Sequence, residues 1–511
     1  MKNRNPKKGS ILLAGPAIVI AAASLLSISL FVFYVVIPSV IRTLILKETK
    51  LINGTETWEK WTNVKIPILI KFYIFNVTNA DDAENGAKFE VQEVGPYVWE
   101  EKRTKQVISI DENEDTVTYK EIIHYYFRPD LSVGSQEDMV NIVNVPLLAA
   151  VALSYHTLYT SVANYIINIF ARLSETIVMR NVNIRELVFD GVELGSTYGL
   201  LASFGIVELP DEFVDGTFAF YNQKNGTPSK EFKVYRGVKN YQTFGQIVEY
   251  DHKPELNFWT NQSLPVDAEQ YCNKINGSDG SLFPPFLTKD QGLHVFSHEI
   301  CRSIYFTFDE EVNLRGVPAY RYTLPDATFA GPHMNENNRC FCSDPGDDLA
   351  NYCDASGVIR LFSCKKGIPI AVSLPHFLKG STRFHEEVNG MEPDDTKHGL
   401  SLIVEPNSGS VLQITKRVQI SAELQRHPGI SAFKDVRYAV VPLFWVEEFV
   451  DIDEKSLSDV RDTLVAALEI VGILKPIVLG FLGLSLISGT LLQVFKIKSK
   501  YPLLEFNASL G

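Results

Sequence analysis

No cysteine precedes Cys272 and none follows Cys364 in this 511-residue chain. Between those limits stand six: Cys272, Cys301, Cys340, Cys342, Cys353 and Cys364. An even number confined to one stretch reads as three disulfides in an oxidising compartment, although the sequence alone does not pair them. The competing reading is zinc on Cys340-Phe341-Cys342. A zinc knuckle wants two CxxC-like pairs, or one with a histidine pair, and the chain has neither.

Enzymatic signatures are also missing. Gly195-Ser196-Thr197-Tyr198-Gly199 lacks the central serine of a nucleophile elbow. His298-Glu299 and His385-Glu386 lack the second histidine of a zinc-protease helix, and no glycine-rich phosphate loop follows a strand. No enzyme, cofactor or metal site is expected. There is no internal repeat and no low-complexity linker.

Charge is absent from three runs. Ile11 to Ile37 is 27 residues without a charge, long enough to cross a bilayer and too long for the apolar part of a cleaved signal peptide. Lys2, Arg4, Lys7 and Lys8 precede it, as suits a cytoplasmic tail of residues 1–10. Pro476 to Phe495 forms a second 20-residue run, followed by Lys496, Lys498 and Lys500 in a tail of residues 496–511. Two spans put both tails in the cytoplasm and residues 38–475 on the luminal or extracellular side. Five N-x-Ser/Thr sequons lie there, at Asn53, Asn76, Asn225, Asn261 and Asn276, and read as glycosylation sites. A sixth, at Asn507, falls in the C-terminal tail and is expected to be silent. The net charge is −13; with +4 on the first tail and +2 on the last, the remainder carries −19. That balance argues against nucleic acid as a partner and suits a soluble acidic surface.

The third uncharged run, the 33 residues from Met139 to Ala171, could be another span. Asn141, Asn144, Pro146, His156, Asn164 and Asn168 interrupt it, and one extra span would move the cysteines into the cytosol. It reads as two or three helices of a soluble bundle, broken near Pro146, with part of its apolar surface exposed to a lipid or a partner. Around it the pattern is β: Ile66 to Asn79, a turn at Gly95-Pro96 entering an aromatic strand, Val117 to Phe127, Thr415 to Ala422 and Tyr438 to Val446.

Several motifs together resemble the class B scavenger receptor family, which includes fatty acid translocase, the lysosomal integral membrane protein and insect sensory neuron membrane proteins. They include Phe72-Tyr73-Ile74-Phe75-Asn76-Val77-Thr78-Asn79, Gly95-Pro96-Tyr97, Cys272-Asn273-Lys274-Ile275-Asn276-Gly277, Phe283-Pro284-Pro285-Phe286 and Cys301-Arg302-Ser303. Asn338-Arg339-Cys340-Phe341-Cys342, Ser373-Leu374-Pro375-His376-Phe377 and Val441-Pro442-Leu443-Phe444-Trp445 continue the series. The resemblance implies an α+β fold: a large irregular antiparallel β-barrel ectodomain with an apical helical bundle at about 139–179, a disulfide region at 272–378, and two transmembrane helices. It implies the pairs Cys272–Cys340, Cys301–Cys364 and Cys342–Cys353. It also implies a tunnel that passes lipid to the membrane, the ligand being a fatty acid, sterol, carotenoid, phospholipid or lipoprotein. The alternative is an endosomal or lysosomal docking receptor for a luminal protein.

The expected ligand entrance is Tyr155, His156, Tyr159, Val162, Ile166 and Arg172, with His156 a candidate pH switch. Lysines that mark anionic-lipid binders late in the bundle are replaced by Leu173, Ser174 and Glu175, and the family's Gly-Tyr-x-Asp-Pro by Gly191-Val192-Glu193-Leu194. Tyr501-Pro502-Leu503-Leu504 has the Tyr-x-x-apolar form read by clathrin adaptors, with Tyr501 and Leu504 as its anchors. The same residues also suit the headgroup interface. Localisation is accordingly expected at the plasma membrane, the endosomal-lysosomal membrane, or both.

Overall fold

The structure is a computed structural model that describes residues 8–154, 160–173, 176–193, 213–214, 216–259, 271–342 and 353–500. It divides into two compact units. The first comprises Met1–Glu48, Arg315–Val317 and Glu454–Gly511, and the second comprises Thr49–Leu314 and Pro318–Asp453.

The first unit is built on two helical rods. One runs through Lys8–Phe31, a π turn at Val32–Val36, and Ile37–Glu48. The other runs through Glu454–Val460, a π turn at Arg461–Val465, and Ala466–Lys500. Val19–Glu48 and Glu454–Phe495 are each long and apolar enough to cross a membrane, and only 6% of their most apolar stretches is buried. A helix this apolar with no protein over it needs another apolar medium.

The second unit is a nearly closed antiparallel sheet. Its principal strands are β1 (Ile68–Val77), β2 (Phe89–Asp111), β3 (Thr116–Phe127), β4 (Met139–Val143), β5 (Val178–Asn183), β6 (Phe232–Tyr235) and β7 (Ile247–Tyr250). They continue with β8 (Leu293–Ser297), β9 (Arg302–Leu314), β10 (Val317–Thr323), β11 (Ser401–Glu405), β12 (Ser410–Leu424) and β13 (Ala439–Asp451). The sheet order is β7-β6-β3-β2-β1-β13-β12-β11-β10-β9-β8, while β4 and β5 pair separately. Its two edges are joined by two residues. Ile247 N–H of β7 donates to Gly277 O at 2.8 Å, Ser278 N–H donates to His294 O at 3.2 Å, and Phe296 N–H donates to Ser278 O at 2.9 Å. Gly277 is required there: its φ is +81°, and a Cβ would lie 1.9 Å from His294 O.

Central strands explain the register. In β1, Ile68, Ile70, Phe72 and Ile74 alternate inward, and Phe72 meets Trp99, Tyr221 and Phe444 edge-on or tilted. Gly95-Pro96 is no turn. β2 runs unbroken through it for 23 residues, and the register against β1 shifts between Phe72 and Ile74, so the pair marks a bulge.

The uncharged run folds differently from a purely helical reading. Met139–Val143 is the strand β4, paired with β5, because its apolar and β-branched residues find a partner strand. Pro146 starts a helix instead of breaking one. It lies in the first turn of α1 (Val145–Ser154), where Asn144 caps the end by accepting from Leu147 N–H at 3.0 Å. Every residue of α1 from Val145 to Val151 is buried. α2 (Thr160–Leu173) is amphipathic: Ala163, Ile166 and Ile167 face the core, while Val162, Tyr165 and Ile169 are exposed. The asparagines that interrupt the run are joints. Asn168 donates to Gly429 O at 2.8 Å and accepts from Ser431 N–H at 2.7 Å, and Asn164 accepts from Ser154 Oγ at 3.2 Å.

Candidate functional site

Within the second unit the sheet curls around a cavity of about 260 Å³. Most of its wall is apolar, with Phe218, Phe220, Phe232, Phe296, Phe306 and Phe444 among the lining residues. The rest is ionic. Glu101 and Arg103 sit two apart on β2 and so share its inner face. Lys416 on β12 and Glu448 on β13 are register partners. Together with Glu299 they form one alternating chain of charge. Arg103 Nε donates to Glu101 at 2.8 Å, and its terminal nitrogen reaches Glu448 at 3.0 Å. Lys416 Nζ lies 3.3 Å from Glu448 and 3.0 Å from Glu299.

Electrostatics follow from that arithmetic. Three carboxylates share two bases, leaving one negative charge in excess. Lys416 holds the Glu299 carboxyl well below its usual range. Burial opposes ionisation of Glu448, but Arg103 and Lys416 keep it below the usual range as well. Glu101 has a single base and is 3% exposed; burial outweighs Arg103 and pushes it up to about 7. Burial also pulls His298, another lining residue, down to about 4, so its imidazole is neutral at physiological pH. A second cluster sits beside the chain: Lys105 Nζ lies 3.3 Å from Glu121 and 3.6 Å from Asp279, and Tyr119 donates to Asp279 at 2.9 Å. Such a cavity can take a hydrocarbon chain against its rings and present donors and acceptors to a polar end. Among the described residues, no group of three or more His, Cys, Asp or Glu is arranged to hold a metal ion.

The cysteines pair as Cys272–Cys340, Cys301–Cys364 and Cys342–Cys353, with Cα separations of 6.0, 6.4 and 5.6 Å. Cys272, Cys301 and Cys340 are buried beside Trp259 and Phe341 in one core cluster. Zinc is thereby displaced as a reading of Cys340-Phe341-Cys342. Asn53 and Asn225 are exposed, and Asn76 and Asn276 are half-buried. Asn225 Oδ1 accepts from Tyr125 N–H and Asn76 Oδ1 from Asn141 N–H. Of the expected entrance, Val162 is exposed, whereas Ile166 faces the core at 9% exposure and so cannot line an entrance on the outer face of α2. Tyr155, His156, Tyr159, the Arg172 side chain, Asn261, Tyr501 and Leu504 lie outside the described residues.

The CD36 family pattern matches residues 18–493, nearly the whole chain. The chain belongs to the CD36 family. It is 31% identical over 436 residues to sensory neuron membrane protein 2 of Heliothis virescens, covering 82% of this chain and 81% of that one. Against sensory neuron membrane protein 1 of Antheraea polyphemus it is 30% identical over 475 residues, 90% of this chain and 86% of the other. It is also 31% identical over 428 residues to lysosome membrane protein 2 of Mus musculus, covering 84% of each. The two long apolar terminal helices fit membrane anchoring in this CD36-family chain. Its ionic chain was invisible in the sequence motifs. The available signal was the charged run from Glu100 to Lys105 in β2, which reads as a solvent face until the sheet closes over it.

Proposed function

We propose that this CD36-family chain is a receptor that binds lipids or lipoprotein-like ligands, draws the lipid into the cavity of its second unit, and releases it to the membrane in which the chain is anchored. The observation that carries this reading is the cavity itself, with ring-lined walls and one ionic face in the interior of a β-sheet. A dry structural core would be cheaper without buried charges, since replacing ion pairs by packed apolar groups is often neutral or stabilising. Charges that line a space instead meet whatever polar group occupies it. In this reading the second unit is luminal or extracellular, both tails are cytoplasmic, and Asn53, Asn76, Asn225 and Asn276 carry glycans.

Mass spectrometry of lipids released from the purified chain tests the proposal. A defined lipid class at near-stoichiometric amount is expected. Its absence from protein extracted under conditions that keep lipid bound in other carriers would refute it.

A second reading rests on α2. Val162, Tyr165 and Ile169 recur at i, i+3 and i+7, with Tyr165 68% exposed, and form an exposed apolar stripe on the helix. That stripe favours docking of a luminal protein, with the cavity secondary. A receptor of either kind could use the tyrosine signal of the C-terminal tail to reach endosomes.

A further inference from the structure

Arg302 heads β9 directly after the bridged Cys301, and it is 4% exposed. Its Nε has no protein hydrogen-bond partner. Among the described residues no carboxylate pairs with it. The guanidinium carbon lies over the Phe341 ring, 3.8 Å from the centroid, which offsets part of its charge. A buried guanidinium with unmade bonds is costly, and burial accordingly pulls it down from its ordinary value to about 10.

The group lines a pocket of about 100 Å³ that shares no described lining residue with the large cavity. The pocket is too small for an acyl chain and large enough for a compact polar group. Its described lining contains no Asp or Glu but does contain Lys274, His294 and Arg302, in a chain whose net charge is −13. One acceptor completes it. Asn338 is 6% exposed, and its Nδ2 is committed to the carbonyls of Ala327 and Ala330, at 3.0 and 2.8 Å. Its Oδ1 is buried without a partner and requires a donor. The frame is rigid: the Cys272–Cys340 bridge forms part of the wall, and Trp259 donates to Cys301 O at 2.7 Å while packing edge-on against Phe341.

We propose that this pocket binds an oxyanion that also carries a hydroxyl, namely hydrogen phosphate or a singly ionised phosphomonoester. The anionic oxygens take the N–H groups of Arg302, with Lys274 adding charge at the rim, and the hydroxyl donates to Asn338 Oδ1. Guanidinium geometry suits a bidentate phosphate contact. The source is either free phosphate or a phosphomonoester lipid headgroup such as phosphatidate.

The test uses the full chain in detergent, with calorimetric titration at constant ionic strength maintained by chloride. At about pH 6, where a phosphomonoester still keeps a hydroxyl, one arm titrates inorganic phosphate, one a short-chain phosphatidate below its micellar concentration, and one sulfate, which has no hydroxyl at that pH. Saturable binding of phosphate or phosphatidate is expected, with the tighter of the two naming the source. Sulfate is expected to bind at least about tenfold more weakly, corresponding to the loss of one buried hydrogen bond. Arg302→Gln should abolish binding. Because Arg302 is buried and its substitution can impair folding, Lys274→Glu provides the second variant: it alters an exposed side chain and should weaken binding about tenfold or more. No binding of either phosphate ligand, or binding unchanged in Lys274→Glu, would overturn the proposal. Sulfate binding as tight as phosphate would overturn the role of Asn338.

Discussion

Replacing Glu101 by glutamine should stabilise the second unit above neutral pH while leaving it unchanged in mild acid. Glu101 is the least exposed carboxyl of the ionic chain, and burial raises it from 4.5 to about 7. An acid whose folded pKa exceeds its unfolded value binds more protons in the folded state. Its contribution to stability therefore falls as pH rises through the window from 4.5 to about 7. At about 1.4 kcal/mol per pKa unit the loss by pH 8 is roughly 3 kcal/mol. Glutamine keeps an oxygen for Arg103 and never ionises, so it escapes that loss. In a unit of about 400 residues, 3 kcal/mol corresponds to a rise of roughly 3–4 °C in the unfolding midpoint. The assay is thermal unfolding of wild type and Glu101→Gln at about pH 5, 6, 7 and 8. The two midpoints should coincide at the acid end and separate progressively toward pH 8. Parallel curves across the whole range would show that Glu101 does not hold its proton and that the charge count in the cavity is wrong.

Lys416→Met removes the base shared by Glu299 and Glu448 and should cost ~2–4 kcal/mol, somewhat under the range for fully dry pairs because these side chains open on the cavity. Adding Glu299→Met should recover part of that loss in chemical denaturation. Gly277→Ala adds left-handed strain of about 1–2 kcal/mol and a collision with His294 O, so the seam between β7 and β8 should open. Hydrogen exchange at the Ile247, Ser278 and Phe296 amides should accelerate while the amides of β1 stay protected. On α2, Val162→Asp should change stability by less than ~0.5 kcal/mol, whereas Ile167→Asp buries an unpaired charge at a position with no exposure and should prevent accumulation of folded protein. Equal behaviour of the two variants on size-exclusion chromatography would contradict the observed orientation of the helix.

Much of the fold was legible because it rests on strong local patterns. β1 and β13 are short apolar and aromatic runs and β12 alternates over Val418, Ile420, Ala422 and Leu424, as buried strands do, and the two terminal runs are too apolar for anything but a helix in an apolar medium. Harder to read was Met139 to Ala171, where lack of charge signals burial but not geometry. Val140, Ile142 and Val143 pair with β5, a contact nearly forty residues away in sequence that no local propensity reveals. The outer face of α2 was displaced for a similar reason. Spacing places Val162 and Ile166 together, but packing against the core selects Ile166 and Ile167 and leaves Val162, Tyr165 and Ile169 outside. Gly95-Pro96 suggested a turn because both residues punctuate chains, yet β1 accommodates them as a bulge. Least legible was the cavity. Glu101, Arg103, Glu299, Lys416 and Glu448 come from four separate segments, and each alone looks like a solvated surface charge.

Photo-crosslinking tests the proposed role of the cavity in lipid binding most directly. The full chain, loaded with a long-chain lipid bearing a diazirine at mid-chain, would be irradiated and its labelled peptides mapped. The account predicts adducts on cavity-lining segments, notably Phe218 to Tyr221, Phe296 to Ile300 and Phe444 to Val446. Adducts confined to the Val162, Tyr165 and Ile169 stripe, with the cavity unlabelled, would contradict it.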